Sequence, residues 1–241
     1  MSYRIAVDTG GTFTDVVVAD AQGRLTVGKA LTTPERSYDG FSAALANAAE
    51  IIDVPMVNLL GKTEVLIYGT TRSTNSIVEK KTAKTALLVT EGFPDILLYR
   101  QGGKREPLNI VMEFPPPYVP RRLTFEIPER INAEGGVETA LDEAAARAII
   151  AGLVNMNIEA VSVSLLWSIA NSAHEKRLGE LIAEILPGIP YTLSHQLNPI
   201  IREYPRTSST AIDASLKPLM QRHLTEFESD LRAANYQGEI L

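Results

Sequence analysis

The sequence predicts an α/β layered fold opened by a β-hairpin. Three observations carry that expectation: an apolar strand pair broken by two glycines at the N-terminus, strand-length apolar runs alternating with helical periodicities after it, and a near-continuous apolar stretch at Ala160–Trp167 of the kind found where both faces of a sheet are covered.

The elements follow in order. An apolar strand from Tyr3 ends in Asp8, the chain turns through two glycines and a threonine, Gly10-Gly11-Thr12, and it returns as a second, strongly β-branched strand toward Asp20. Asp20-Ala-Gln-Gly23 is a turn into a third antiparallel strand, Leu25–Ala30. Ser37–Ile52 reads as a helix with Phe41, Leu45, Ala48 and Ile52 on one face. The strand Glu64–Tyr68 delivers Gly69-Thr70-Thr71-Arg72-Ser73-Thr74-Asn75 to a helix over Ser76–Lys80, and Thr85–Val89 is the next strand.

From Gln101 to Asn132 the pattern is irregular. Gly102-Gly103-Lys104-Arg105-Glu106-Pro107 and Phe114-Pro-Pro-Pro-Tyr-Val-Pro120 suit neither helix nor central strand, and the proline run reads as a stiff connector. Leu123–Ile127 is a short strand beyond it. A helix over Leu141–Asn155 starts at Thr139 or Asp142, and a second, capped by the box Ser172-Ala-His-Glu175, runs to Leu186. The strand Tyr191–Ser194 precedes Arg202-Glu203-Tyr-Pro-Arg206-Thr207 and a long helix with Leu216, Leu219, Met220, Leu224, Phe227 and Leu231 at core spacing. Gly238 is the expected helix stop, and Glu-Ile-Leu241 begins a further strand. The organisation expected is an α/β unit over 1–100, a connector over 101–132 and a second α/β unit over 133–241.

Composition narrows the function classes. With 241 residues and a net charge of −6, the chain has size for a proper core and no basic stripe, which argues against nucleic-acid binding. Cysteine is absent, removing disulfides, thiol catalysis and zinc–thiolate sites, as suits a cytoplasmic protein. No apolar run is long enough to span a membrane. The three histidines form no metal-binding motif and suit surface or supporting roles.

The candidate site is the opening hairpin. Gly10, Gly11 and Thr12 at a turn form a small concavity of N–H groups for phosphate oxygens, the glycines reaching positive φ cheaply and admitting close approach. Asp8 at the strand end is placed to hold a metal ion or orient a water, and Thr14 and Asp15 stand in support. An ordinary structural turn is the competing reading; the aspartate before it and Thr-Phe-Thr-Asp after it favour phosphate. Thr70, Thr71 and Asn75 line the same cleft or cap the helix that follows. Arg206 suits bidentate phosphate contact, with Glu203 beside it, and mutual pairing of these charges is the alternative.

Taken together, Val7-Asp-Thr-Gly-Gly-Thr-Phe-Thr-Asp15, Gly69-Thr-Thr-Arg-Ser-Thr-Asn75 with Glu79, Thr90-Glu-Gly-Phe-Pro-Asp95, Ser172-Ala-His-Glu175 and Arg202-Glu-Tyr-Pro-Arg-Thr-Ser-Ser-Thr210 cover the chain. In that order they resemble the N-terminal part of the hydantoinase A, 5-oxoprolinase and acetone/acetophenone carboxylase family. The resemblance implies an actin/Hsp70/sugar-kinase-like (ribonuclease H-like) lobe, with the second lobe expected beyond Leu241. It also implies the use of ATP, and the residues read above add the expectation of Mg2+ or Mn2+ at Asp8 and of catalytic roles for Asp8, Glu203 and Arg206. The activity implied is activation of a carbonyl oxygen by phosphorylation in a cyclic-amide hydrolase working with a hydantoinase B-like subunit. A ketone carboxylase subunit and a non-catalytic structural subunit are the alternatives. The family often has His before Gly-Thr-Thr, where this chain has Tyr68.

Overall fold

The computed structural model describes residues 2–102, 108–109, 111 and 115–241. In chain order the elements are strands β1 (Tyr3–Thr9), β2 (Phe13–Asp20) and β3 (Leu25–Leu31), helices α1 (Ser37–Ile51) and α2 (Met56–Gly61), β4 (Thr63–Thr70) and α3 (Arg72–Val78). There follow β5 (Thr85–Thr90), α4 (Ile96–Tyr99), β6 (Thr124–Ile127), β7 (Arg130–Ile131), β8 (Val137–Thr139), α5 (Glu143–Gly152) and β9 (Ala160–Ser164). The chain closes with α6 (Ala173–Ile185), β10 (Tyr191–Leu193), α7 (Ser194–Leu197), the long α8 (Glu203–Ala233) and β11 (Glu239–Ile240).

Two compact units share these elements: residues 1–81 with 220–241, and residues 82–219. The division differs from the expected 1–100, 101–132 and 133–241. Two pairings explain it. β5 hydrogen-bonds to β6 and β9 rather than to the first sheet, and β11 returns to pair with β4. The expected connector is also part of the second unit, where Val119 and Leu123 are buried in the core and Tyr118 Oη bonds Ser215 Oγ at 2.7 Å. Lys104, Arg105 and Phe114 lie outside the described residues.

The first unit carries a five-stranded sheet in the order β11-β4-β1-β2-β3. β1, β2 and β3 form the antiparallel meander that the two turns dictate, and β4 and β11 add parallel strands on the other side of β1. Alternation decides the faces: Tyr3, Ile5 and Val7 of β1 point into the core while Arg4, Ala6 and Asp8 point out. Phe41, Leu45 and Ala48 of α1 pack on that core as their spacing predicts, and Phe227 of α8 meets the Phe41 ring edge-on at 5.5 Å. α1 crosses β3 so closely that a Cβ at Gly28 would stand 2.0 Å from the Ala44 carbonyl oxygen.

The second unit is built on a parallel sheet, β10-β9-β5-β6. Every residue of β5 and β9 is buried, in keeping with their mainly apolar sequences, and the buried polar residues are small Ser and Thr. β9 stops at Ser164, short of the expected Trp167, because Leu165 and Leu166 turn away to donate their N–H groups to side chains.

Two further expectations are corrected. α8 ends at Ala233 with Asn235 at φ 71°, so Gly238 is not its stop. Gly238 is instead needed where the chain passes β4, since a Cβ there would lie 2.4 Å from the Glu64 carbonyl oxygen. Nor is Glu175 a helix cap. Ser172 makes no side-chain cap bond, and the Glu175 carboxylate is fully buried.

Candidate functional site

The hairpin of the first unit gathers most of the residues singled out in the sequence. Asp8 pairs with Asp15 on β2 and with Gly69 on β4, and Thr9 pairs with Thr14 and Thr70. Gly10 N–H donates to the Phe13 carbonyl at 3.0 Å, leaving Gly11 and Thr12 at the exposed tip. Thr71 N–H donates to the Thr9 carbonyl at 3.2 Å, tying the end of β4 to the start of the hairpin. A Cβ on Gly11 would stand 3.5 Å from Asn75 Nδ2, so Asn75 flanks the turn. Asp8, Gly10, Gly11, Thr12, Thr70, Thr71 and Asn75 therefore form one cluster.

Neither hairpin glycine has a positive φ, contrary to expectation. An added Cβ on Gly10 would sit 3.2 Å from the Phe13 carbonyl oxygen, a tight contact that the turn would have to relieve by a few tenths of an ångström. The turn is braced from beneath by a residue the sequence did not flag. Thr32 Oγ1 bonds the Gly10 carbonyl at 3.0 Å and Thr14 Oγ1 at 3.0 Å, and Thr32 N–H donates to the Thr12 carbonyl. Thr14 is fully buried by these contacts, so it supports the turn from inside. Its signal in the sequence is slight, because Thr32-Thr33-Pro34 reads only as a polar turn before α1.

The carboxylates differ in their partners. Asp15 is paired with Lys29 Nζ at 2.7 Å, and the same lysine sits 4.7 Å over the Phe13 ring. Asp8 is exposed, and its carboxylate makes no hydrogen bond or ion pair among the described residues. A hard divalent cation takes oxygen ligands of this kind, so the free Asp8 carboxylate beside the turn fits a metal ion. Thr70 Oγ1 accepts from Arg72 N–H at 3.2 Å, an end-of-helix bond, while Asn75 Nδ2 reaches Thr71 Oγ1 at 3.4 Å. Tyr68, just before Gly69, bonds His223 Nε2 at 2.9 Å and stacks on Phe227 at 4.2 Å. Burial holds the His223 imidazole below its ordinary pKa, and the Arg72 charge adds to that.

Arg206 and Glu203 belong to the second unit. The Arg206 guanidinium is 1% exposed, and its donors go to Ser194 Oγ at 3.2 Å and to the carbonyls of Ile200, Ile201 and Leu165 at 2.7, 3.3 and 3.1 Å. Those contacts make it a clamp on three chain segments. Burial lowers its pKa, against the opposing charges of Glu175 and Glu203. Glu203 lines a cleft of the second unit.

Sequence reasoning missed two buried carboxylate–histidine pairs there. Glu129 Oε2 meets His174 Nδ1 at 2.7 Å, and Thr90 Oγ1 donates to the same carboxylate. Glu175 Oε2 meets His195 Nδ1 at 2.6 Å and accepts His195 N–H, while its Oε1 accepts Leu165 N–H and Ser194 Oγ–H. The histidines are thus held inside, not displayed on the surface. Among the described residues no group of three or more acidic or histidine side chains is placed to hold a metal, and no helix is long and apolar enough to cross a membrane.

Residues 4–186 match the model of the hydantoinase/oxoprolinase N-terminal region. The chain is 35% identical over 229 residues to the caprolactamase subunit alpha of Pseudomonas jessenii, covering 94% of this chain and 33% of that one. It is 34% identical over 250 residues to the acetophenone carboxylase gamma subunit of Aromatoleum aromaticum, covering 98% and 34%. The crystal structure of the ATP-dependent caprolactamase from Pseudomonas jessenii superposes with a TM-score of 0.89 at 34% identity, over 99% of this chain and 35% of that one. The chain thus spans about a third of the length of these relatives. With the family region matched over most of its length and the fold shared, the chain belongs to the hydantoinase/oxoprolinase family.

Proposed function

We propose that the first unit binds the phosphates of ATP at the Gly10–Thr12 turn, with Asp8 holding Mg2+ or Mn2+, as part of an enzyme that activates a carbonyl oxygen by phosphorylation. The observation that carries this reading is the Asp8 carboxylate, exposed and unpartnered at a strand end beside a glycine turn. ATP supplies the phosphoryl group that converts an unreactive carbonyl oxygen into a leaving group. The chain's own residues hold and orient. Gly11 and Thr12 offer backbone N–H groups to phosphate oxygens, and Thr70, Thr71 and Asn75 flank the same turn. Thr14 keeps the turn in shape through Thr32, and Asp15 stays neutralised by Lys29.

The substrate class proposed is a cyclic amide, following the caprolactamase relative, with ketone carboxylation as the alternative drawn from the acetophenone carboxylase relative. Because both relatives are named as subunits, a hydantoinase B-like partner is part of the proposal. The test is Asp8→Asn in the assembled enzyme. ATP turnover should fall by about 100-fold or more, the scale of losing one preorganised charge contact, while assembly measured by gel filtration is unchanged. Wild-type turnover by that variant would overturn the reading.

A further inference from the structure

The second unit holds an open cleft of about 460 Å3, bounded by the Gly92–Arg100 segment, the Leu166–Trp167 turn and the start of α8. Phe93, Tyr99, Trp167 and Tyr204 line it, with Asp95, Arg100, Arg130 and Glu203 as charged residues at its wall. Its size falls in the range of small-molecule sites.

Backbone conformation singles this cleft out. Six non-glycine residues among those described have positive φ. Asp53, Lys80, Asn157 and Asn235 follow helical turns, where a left-handed residue is an ordinary stop. The other two both line the cleft: Arg100 at φ 58°, which directly follows α4, and Trp167 at φ 54°. Arg100 combines that φ with ψ −132°, outside the left-handed helical basin. For a bulky residue such as Trp167 the conformation is an outlier, and it persists only where the surroundings fix it.

They do fix it here. Leu165 N–H is held by Glu175 Oε1 at 2.9 Å, the Leu165 carbonyl by Arg206 Nη2 at 3.1 Å, and Leu166 N–H by Thr90 Oγ1 at 3.0 Å. Two buried carboxylate–histidine pairs and a buried arginine are thus spent on the two residues before Trp167.

The charges set the ligand. Asp95 is already committed to Arg121 at 3.3 Å, and Arg100 Nη2 donates to the Pro115 carbonyl at 3.3 Å. Arg130 lies 5.0 Å over the Phe93 ring, and its nearest carboxylate partner, Glu138, is 3.9 Å away with no hydrogen bond between them. Its planar fork of donors makes no hydrogen bond among the described residues and is engaged only by that long ion pair and the Phe93 ring. We propose that this cleft binds a small planar carboxylate, its body against the aromatic rings and its carboxylate on Arg130. The proposal is independent of the nucleotide site, which lies in the other unit.

Trp167 is the single tryptophan of the sequence, so its fluorescence reports the cleft directly. The experiment titrates the 241-residue chain with benzoate and, separately, with benzamide, its neutral isostere. Saturable change with benzoate, binding at least ~10-fold tighter than benzamide, is expected from a charge-assisted bidentate pair. Arg130→Met should raise the benzoate Kd by at least ~10-fold with an unchanged circular dichroism spectrum. No saturable change with benzoate, equal or tighter binding of benzamide, or benzoate binding indifferent to Arg130→Met would each overturn the proposal. The wild-type comparison decides even where the variant misfolds.

Discussion

Asp8 and Asp15 stand directly opposite each other on neighbouring antiparallel strands, and only Asp15 has a counter-ion, Lys29 at 2.7 Å. Like charges in that position repel across the ladder. The arrangement leaves Asp8 as the free carboxylate beside the glycine turn, which is what a metal-binding role requires and what a folding role does not explain. Asp8→Asn should therefore leave thermal stability unchanged or raise it by less than about 1 kcal/mol. Lys29→Ala should lower stability by up to about 1 kcal/mol, and added salt should shrink that loss because the pair is exposed.

Arg206 separates two kinds of arginine. A phosphate-binding arginine would tolerate replacement in folding and lose ligand affinity. A clamp on the carbonyls of Leu165, Ile200 and Ile201 does the reverse. Arg206→Lys should cost about 2–4 kcal/mol in urea unfolding, because one ammonium cannot serve acceptors on three segments. The folded fraction should bind Mg·ATP as the wild type does.

Glu175 should be among the costlier single sites. Replacing it with Ala leaves the Leu165 N–H, the Ser194 hydroxyl and the His195 ring and N–H without their acceptor in a buried setting. A loss of about 3–5 kcal/mol is expected, read from the denaturant midpoint. Glu175→Gln keeps the volume and part of the acceptor capacity, so it should cost less.

His223 makes stability depend on pH. Its folded pKa is lowered from the ordinary imidazole value of 6.5, chiefly by burial, so the unfolded chain binds the proton more readily. The stabilisation is present above the unfolded pKa and is lost as pH falls from about 6.5 through the folded value. His223→Gln should flatten that fall, measured as urea midpoints across the acid range.

Gly28→Ala tests the packing of α1 on β3. The new Cβ would meet backbone, the Ala44 carbonyl oxygen at 2.0 Å and Ala48 N at 2.8 Å, and no side chain there can swing aside. A destabilisation of about 3 kcal/mol or more is expected.

Much of this was legible in the sequence, because periodicity and turn chemistry are local. The opening hairpin, the meander through β3, the helix face of Phe41, Leu45 and Ala48, and the buried β5 and β9 follow from patterns a few residues long. What escaped is long-range. Thr32 braces a turn about twenty residues before it, and Glu175 bonds a histidine twenty residues after it while its spacing mimics a helix cap. Gly238 looks like a stop yet serves a close passage beside β4, and the carbonyl partners of Arg206 come from segments its local sequence does not name. Pairing of β11 with β4 also redraws the unit boundaries, which composition had placed at the proline-rich stretch.

The nucleotide reading is tested most directly by amide NMR of the 15N-labelled chain titrated with Mg·ATP, alongside Asp8→Asn. The account predicts saturable shifts centred on Gly10, Gly11, Thr12, Thr70 and Thr71, lost or strongly weakened in the variant. If those amides stay in place while ATP is present in excess, or if they move equally in Asp8→Asn, the hairpin is a structural turn and the phosphate-binding account fails.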